Sequence, residues 1–163
     1  MSKVVFSLLV DNEAGVLSRI SGLFSRRSYN IESLTVGETQ EKGVSRMTVV
    51  ADGDQDVLEQ IEKQLAKLID VREIKVLPAD ASVCRELILM KIAVTSEDRQ
   101  QVIAIADIFR AKIVDVALDS LMVELTGTQS KIDAFTTLLG QYKIIELART
   151  GITGLSRGRM DLD

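Results

Sequence analysis

The chain has 163 residues, of which 46% are hydrophobic, and its formal net charge is −4. This length suits one ordinary domain or two small ones, and the hydrophobic fraction is high enough to form a buried core. The negative net charge argues against a positive surface for nucleic acid, and aromatic residues, at 4% of the chain, are too few to form a set of stacking rings. No apolar run reaches the ~18 residues of a membrane span, so no membrane contact is expected.

Several residue types that catalysis commonly needs are missing. The chain has no histidine, no glycine-rich phosphate loop and a single cysteine, Cys84. The most common general base is therefore absent, and one thiol makes neither a disulfide nor a thiolate metal site. We expect Cys84 to be a small buried residue of a protein in a reducing compartment, the cytoplasm. The N-terminal residues MSKVVFSLLVDNE are interpreted as a first strand, not a signal peptide.

The first half alternates apolar strand patterns with helical ones. The predicted elements are strand 4–10, helix 15–27, strand 30–36, strand 44–51, a helix marked by Val57, Leu58, Ile61, Leu65 and Leu68, and strand 71–76. The turn Asp52-Gly53-Asp54 is predicted to cap the second helix. Its alternating aspartates also suggest a calcium loop, but no glutamate stands at the twelfth position, so the cap is favoured.

The second half repeats the order. The predicted elements are strand 86–94, helix 97–110, strand 112–116, strand 121–126, a helix marked by Ile132, Phe135, Leu138 and Leu139, and strand 143–149. Twice βαββαβ predicts an α+β fold of two tandem ferredoxin-like sandwiches, each an antiparallel sheet covered by helices on one face. The only proline lies at position 78, which favours domains at 1–77 and 86–163, the latter with the tail, joined by a linker at 78–85. The uncovered sheet faces and edge strands predict self-association.

One loop stands out as a candidate binding site. An apolar strand stops at residues 11–15 (DNEAG), and a helix with its apolar face at Val16, Leu17, Ile20, Leu23 and Phe24 begins at once. A helix N-terminus presents unpaired N–H groups and a positive partial charge, which favours an anion such as a carboxylate. Gly15 lets a ligand approach the backbone closely. The alternative is that the loop is only a turn and a helix cap.

Four segments together resemble the small, regulatory subunit of acetolactate synthase, also called acetohydroxyacid synthase. Residues 12–37 (NEAGVLSRISGLFSRRSYNIESLTVG), 45–50 (SRMTVV) and 59–71 (EQIEKQLAKLIDV) resemble its amino-terminal ACT domain. Residues 146–158 (ELARTGITGLSRG) resemble its carboxy-terminal signature. The resemblance covers essentially the whole chain and implies an N-terminal ACT domain followed by an ACT-like domain.

The resemblance implies a subunit with no catalytic site of its own. Such subunits bind a catalytic, large subunit that carries thiamine diphosphate, magnesium and FAD, whereas no cofactor is expected on this chain. They raise the activity of their partner and confer feedback inhibition by a branched-chain amino acid, usually valine. The complex condenses pyruvate with pyruvate or 2-oxobutyrate, the first common step toward valine, leucine and isoleucine. A homodimer is expected as well.

A zwitterionic effector needs donors for its carboxylate, acceptors for its ammonium group and an apolar slot. The amides of residues 13–17 suit the carboxylate, and the side-chain carbonyls of Asn12 and Asn30 suit the ammonium group. Val16, Leu17 and Ile31 are predicted to line the slot. By resemblance, the loop of one chain meets Asn30 and Ile31 of another. The predicted effector-binding residues are Asn12, Glu13, Ala14, Gly15, Val16, Leu17, Asn30 and Ile31.

Other readings of the chain remain open. One is an ACT-type amino-acid sensor that regulates a different partner protein, although the tail at residues 146–158 and the second βαββαβ half favour the synthase subunit. An RNA-binding ferredoxin-like module and a stand-alone enzyme are disfavoured by composition. Arg26 and Arg27 are interpreted as a solvated helix end. Arg157 and Arg159 either contact the catalytic subunit or belong to a mobile terminus.

Overall fold

The computed structural model of the chain describes residues 2–159 and divides into two units. One unit contains the residues up to Cys84 together with the segment that starts at Ile152, and the other spans Arg85–Gly151. The elements of the first half are β1 (Ser2–Asp11), α1 (Val16–Arg26), β2 (Asn30–Glu38), β3 (Val44–Gly53), α2 (Gln55–Ala66) and β4 (Val71–Val76). Those that follow are β5 (Ser82–Ala93), α3 (Asp98–Phe109), β6 (Lys112–Val116), β7 (Ser120–Gly127), α4 (Gln129–Leu139), β8 (Lys143–Arg149) and β9 (Thr153–Ser156).

The first unit is a four-stranded antiparallel sheet in the order β2-β3-β1-β4. Side chains alternate between the two faces of a strand, so every second residue of β1 and β3 faces the helices. The resulting core is formed by Phe6, Leu8 and Val10 of β1, Met47, Val49 and Ala51 of β3, Val16, Ile20, Leu23 and Phe24 of α1, and Leu58, Ile61 and Leu65 of α2. Both helices therefore cover the same face of the sheet.

The second sheet repeats this arrangement with the strand order β6-β7-β5-β8, and a fifth strand, β9, pairs with β5. Its core contains Ile88, Met90 and Ile92 of β5, Leu121, Val123 and Leu125 of β7, Val102 and Ala106 of α3, and Ile132, Phe135 and Leu139 of α4. The predicted fold class, two tandem ferredoxin-like βαββαβ sandwiches, is confirmed.

The helix that follows the Asp52-Gly53-Asp54 turn begins as the sequence predicts. Asp54 is the N-cap of α2, and its side chain accepts a hydrogen bond from the amide of Val57 at 2.9 Å. Thr128 holds the equivalent position before α4 and accepts from the amide of Lys131 at 3.3 Å. Caps of this kind satisfy one of the donors that a helix N-terminus leaves unpaired. The structure thus assigns Asp54 to the cap.

The predicted domain limits, 1–77 and 86–163 with a linker at 78–85, stay a prediction, but the connection between the halves and the tail contain short elements that the sequence pattern did not predict. A single 3-10 turn at Ala79–Ala81 follows Pro78, and β5 already begins at Ser82. In the tail, β9 pairs with β5, and the amide of Arg157 donates to the carbonyl of Ala81 at 2.8 Å. The segment that starts at Ile152 groups with the first unit.

Two hydroxyl groups of β2 hold the start of this tail. The amide of Ile152 donates to Oγ of Ser33, and its carbonyl accepts from Oγ1 of Thr35, both at 3.2 Å. Residues from Ile152 therefore group with the first unit, because both backbone groups of Ile152 find partners there that lie more than a hundred positions away along the chain.

Candidate functional site

The loop between β1 and α1 is short and ends in a left-handed backbone conformation. Only residues 12–15 separate Asp11 at the end of β1 from Val16 at the start of α1. Gly15 precedes the helix with φ at +90°, and no side chain caps the helix at this position. Residues with a Cβ rarely adopt this conformation, so a glycine is required here. The predicted strand-to-helix loop is present at its predicted place.

The backbone N–H groups of this loop are largely unused. The amide of Val16 donates to the carbonyl of Glu13 at 3.4 Å, and that of Arg19 donates to Gly15 at 2.9 Å. Within residues 2–159, the amides of Glu13, Ala14, Gly15, Leu17 and Ser18 have no acceptor. Unpaired amides at the positive end of a helix dipole form an arrangement that binds anions. The loop therefore has the geometry that a carboxylate needs.

Asn12 ties the loop to the hairpin between β2 and β3. Its amide donates to the carbonyl of Gly43 at 2.8 Å, and its side-chain Nδ2 donates to Oε1 of Glu38 at 3.2 Å. The side-chain carbonyl of Asn12 has no donor within the described residues. It remains available to accept from an ammonium group, as its predicted role requires.

The three residues predicted to form the apolar slot have different environments. Val16 is 3% exposed and belongs to the core of the first unit. Leu17 is 47% exposed, and Ile31 is half-buried against the same core. Within one chain, Leu17 and Ile31 thus have surface to offer a ligand, whereas Val16 supports the helix from beneath.

Asn12 and Asn30 lie at opposite ends of the sheet. Asn30 is opposite Asp52 on β3, and Asp52 is also opposite Lys3 near the start of β1. Asn12 follows the far end of β1, and at 3.3 Å per residue the separation along the strand is about 30 Å. One chain does not bring the predicted residues into a single site, so a site that contains both asparagines requires two chains.

An ion pair beside the loop was not foreseen from the sequence. Nε of Arg19 donates to Oδ2 of Asp70 at 2.6 Å, and the Asp70 side chain is 9% exposed. The hydrogen bond with Asp70 raises the pKa of Arg19 above its ordinary value. The carbonyl of Asp70 accepts from the amide of Asp11 at 2.9 Å, so the pair is fixed to the end of β1. No local pattern in the sequence signals this pair, because its members are 51 residues apart.

Other groups of the first unit lie beside the loop or beside β9. Arg72 pairs with Asp11 at 2.6 Å and with Glu41 at 3.5 Å. Cys84 is half-buried, and its Sγ lies close to Gly154 of β9. The described residues contain no cluster of three or more side chains able to hold a metal ion. None of the helices between Ser2 and Arg159 is long and apolar enough to cross a membrane.

Two tandem ferredoxin-like units with an open strand-to-helix loop define a protein of the ACT class. Residues 6–73 match the family described as the AHAS small subunit-like ACT domain. Residues 85–158 match the family described as the small subunit of acetolactate synthase.

Individual relatives agree with both matches. The chain is 52% identical to the probable acetolactate synthase small subunit of Methanothermobacter thermautotrophicus, over 94% of this chain and 92% of the relative. It is 49% identical to the isozyme 3 small subunit of Escherichia coli, over 94% and 95% of the two chains. The crystal structure of the Thermotoga maritima acetolactate synthase small subunit superposes with a TM-score of 0.91 at 39% identity, covering 98% of this chain and 100% of that one. The chain belongs to the acetolactate synthase small-subunit family.

Proposed function

We propose that this small subunit activates a catalytic acetolactate synthase subunit and makes it sensitive to feedback inhibition by valine. The observation that carries the proposal, in a chain of this family, is the start of α1 with the loop before it. Five amides there, those of Glu13, Ala14, Gly15, Leu17 and Ser18, have no acceptor among the described residues. Thiamine diphosphate, magnesium and FAD belong, in this proposal, to the catalytic subunit. That partner performs the condensation of pyruvate with pyruvate or 2-oxobutyrate.

The proposed site recognises each part of the amino acid separately. The free amides between Glu13 and Leu17 bind the carboxylate, because these N–H groups have no acceptor among the described residues and lie at the N-terminus of a helix. The side-chain carbonyl of Asn12 accepts from the ammonium group, and Asn30 adds a second acceptor. Leu17 and Ile31 contact the branched side chain. A site of this composition favours a small apolar amino acid.

The site is proposed to form between two copies of the chain in the cytoplasm. The separation of about 30 Å between Asn12 and Asn30 within one chain supports this, because only a second copy can bring the two together. β2 is an edge strand of the first unit and carries Asn30 at its start. Edge strands present unpaired backbone groups that favour pairing with another chain. Ligand binding and dimer formation would then stabilise each other.

Reconstitution with the catalytic subunit tests the proposal directly. The chain alone is expected to form no acetolactate with thiamine diphosphate, magnesium and FAD, and to raise the rate of its cognate catalytic subunit when the two are mixed. Valine added to the mixture should lower the rate again. Calorimetry of the isolated chain with valine, leucine and isoleucine ranks the effectors. Turnover by the chain alone, or a mixture that valine does not inhibit, contradicts the proposal.

A further inference from the structure

Arg19 lies directly over the proposed binding loop. Helical side chains lean toward the helix N-terminus, so residue 19 covers the surface above residue 15. Nη1 of Arg19 lies 2.9 Å from the point that a Cβ on Gly15 would occupy. Nε is held by Asp70 at 2.6 Å. The guanidinium group is thus fixed through one edge, with a terminal nitrogen beside the loop backbone.

The terminal nitrogens of Arg19 are not used within the protein. Arg149 donates through Nε and Nη2 to Glu86 and through Nη2 to Asp133, and Arg72 contacts both Asp11 and Glu41. By contrast, Nη1 and Nη2 of Arg19 have no acceptor in the part of the chain that the structure describes. The Arg19 side chain is 50% exposed. These two nitrogens are therefore charged donors beside the loop that no hydrogen bond of the described residues uses.

The charge around the loop is net negative. The carboxylates tied to the loop, to its flanking strand ends or to the neighbouring hairpin are Asp11, Glu13, Glu38, Glu41 and Asp70, and the cations among them are Arg19, Lys42 and Arg72. Arg72 is engaged by two of these carboxylates. Such a surrounding attracts an ammonium group and repels a carboxylate unless a cation lies beside it.

We propose that Arg19, positioned by Asp70, pairs with the carboxylate of the effector and makes the loop select a zwitterion. A guanidinium group forms strong charge-assisted hydrogen bonds with a carboxylate. A 2-oxo acid with the same branched side chain keeps the carboxylate but lacks the ammonium group. The carboxylates around the loop therefore repel it, and no attraction to an ammonium group offsets that repulsion. This inference rests on the proposed function, since it names the group that reads the effector at the same site.

The test is calorimetry of the full-length chain with valine, valinamide and 3-methyl-2-oxobutanoate. Arg19→Gln should raise the Kd for valine by at least about tenfold, the scale of a lost hydrogen bond to a charged group. Arg19→Lys should recover part of the loss, because it keeps the charge. Valinamide has no carboxylate, so its Kd should be the same in the wild type and in Arg19→Gln. The oxo acid should bind the wild type at least about tenfold more weakly than valine.

The matched control lies on the same helix. Nη1 of Arg26 lies 3.0 Å from the point that a Cβ on Gly22 would occupy, the same spacing of four at the other end of α1. Arg26→Gln should leave valine binding unchanged. Asp70→Asn keeps the Arg19 side chain but removes the charge that holds it in place. This variant should raise the Kd for valine by a smaller factor than Arg19→Gln and leave the Kd for valinamide unchanged. This variant decides the question if Arg19→Gln does not fold.

The outcomes separate the two proposals. If the wild type binds valine and Arg19→Gln binds it equally well, the role of Arg19 is overturned while the regulatory function stands. If Arg19→Gln raises the Kd for valine and the Kd for valinamide by the same factor, the inference is also overturned, because the substitution then affects the loop in general. If the wild type binds no branched-chain amino acid, the regulatory proposal itself is overturned, and the role of Arg19 with it.

Discussion

At the scale of single residues, Gly15 and Arg19 show what the sequence could and could not predict. The glycine was predicted from its place between an apolar strand and a helical pattern, and the structure gives it φ +90°. The neighbouring guanidinium was not predicted, because the partner that positions it, Asp70, is 51 residues away. Local periodicity predicts which face of a helix is buried, but it does not identify the distant residue that fixes an exposed side chain.

The substitution Gly15→Asp is expected to abolish valine inhibition and to leave activation of the catalytic subunit largely intact. The new carboxylate would lie beside Arg19 and compete with the carboxylate of the effector. The left-handed backbone adds about 1–3 kcal/mol of strain for a residue with a Cβ. Gly15→Asn is the matched control, since asparagine has the same shape, tolerates this backbone better and carries no charge. Equal valine inhibition of Gly15→Asp and the wild type would exclude the loop as the effector site.

The substitution Asn30→Ala should weaken valine binding by about 1–3 kcal/mol, the scale of a lost hydrogen bond to a charged group. Asn30 is exposed in the single chain, so its removal should not disturb the core. Asn30→Asp keeps an acceptor for the ammonium group and should bind valine at least as well as the wild type. Calorimetry measures both variants, and an unchanged Kd in Asn30→Ala would remove this residue from the proposed site.

At the scale of elements, the predicted order of strands and helices agrees with the structure, whereas the short strand β9 in the tail was not predicted. Period-two and period-3.6 patterns place the six elements of each half, because burial of one face imposes those spacings. β9 is only four residues long, Thr153–Ser156, and it has little periodicity of its own. Its position follows from backbone hydrogen bonds to Ala81 and to the hydroxyl groups of Ser33 and Thr35, which no local pattern contains.

A fragment of residues 1–84 should therefore be less stable than the same fragment joined through a Gly/Ser linker to residues 152–159. The fragment alone leaves Ser33, Thr35 and the carbonyl of Ala81 without their partners. Each hydrogen bond contributes about 0.5–1.5 kcal/mol, so the joined form should melt several degrees higher. Thermal unfolding by circular dichroism measures the difference. Equal melting temperatures would show that β9 contributes nothing to the first unit.

At the scale of the whole molecule, each half is a complete βαββαβ unit, but the two differ in what they carry. Every residue of the proposed effector site belongs to the first unit, whereas Arg85–Gly151 forms the second. The repeat was predictable because both halves show the same order of patterns. The predicted domain limits stay a prediction; the proline lies in a turn before β5, and the grouping by contacts ends the first stretch of the first unit at Cys84. A boundary defined by contacts depends on hydrogen bonds between distant residues, such as those of Ile152 with Ser33 and Thr35, and the composition of the chain does not predict such bonds.

The joined first unit, residues 1–84 with 152–159, should still activate the catalytic subunit in part but should be poorly inhibited by valine. It retains the proposed binding loop, yet inhibition also requires an element whose state changes when the effector binds, and the second unit is the candidate for it. The expected loss of coupling is about 1–3 kcal/mol. Titration of the catalytic subunit with this form and with the full chain, with and without valine, measures the loss. Equally sharp inhibition by both forms would show that the second unit is not needed.

The return of the chain to the first unit after Gly151 also has a consequence for synthesis in the cell. Proteins emerge from the ribosome with the N-terminus first, and their domains generally fold as units. Here, β1 to β4 can assemble early, but β9, which pairs with β5 and whose residues group with the first unit, is translated only after the whole second unit. A product that terminates before Thr153 therefore lacks β9, and one that terminates before Gly151 also lacks part of the second unit. Only a chain translated through β9 has every segment that groups with the first unit, so we expect shortened products to be less stable than the full chain.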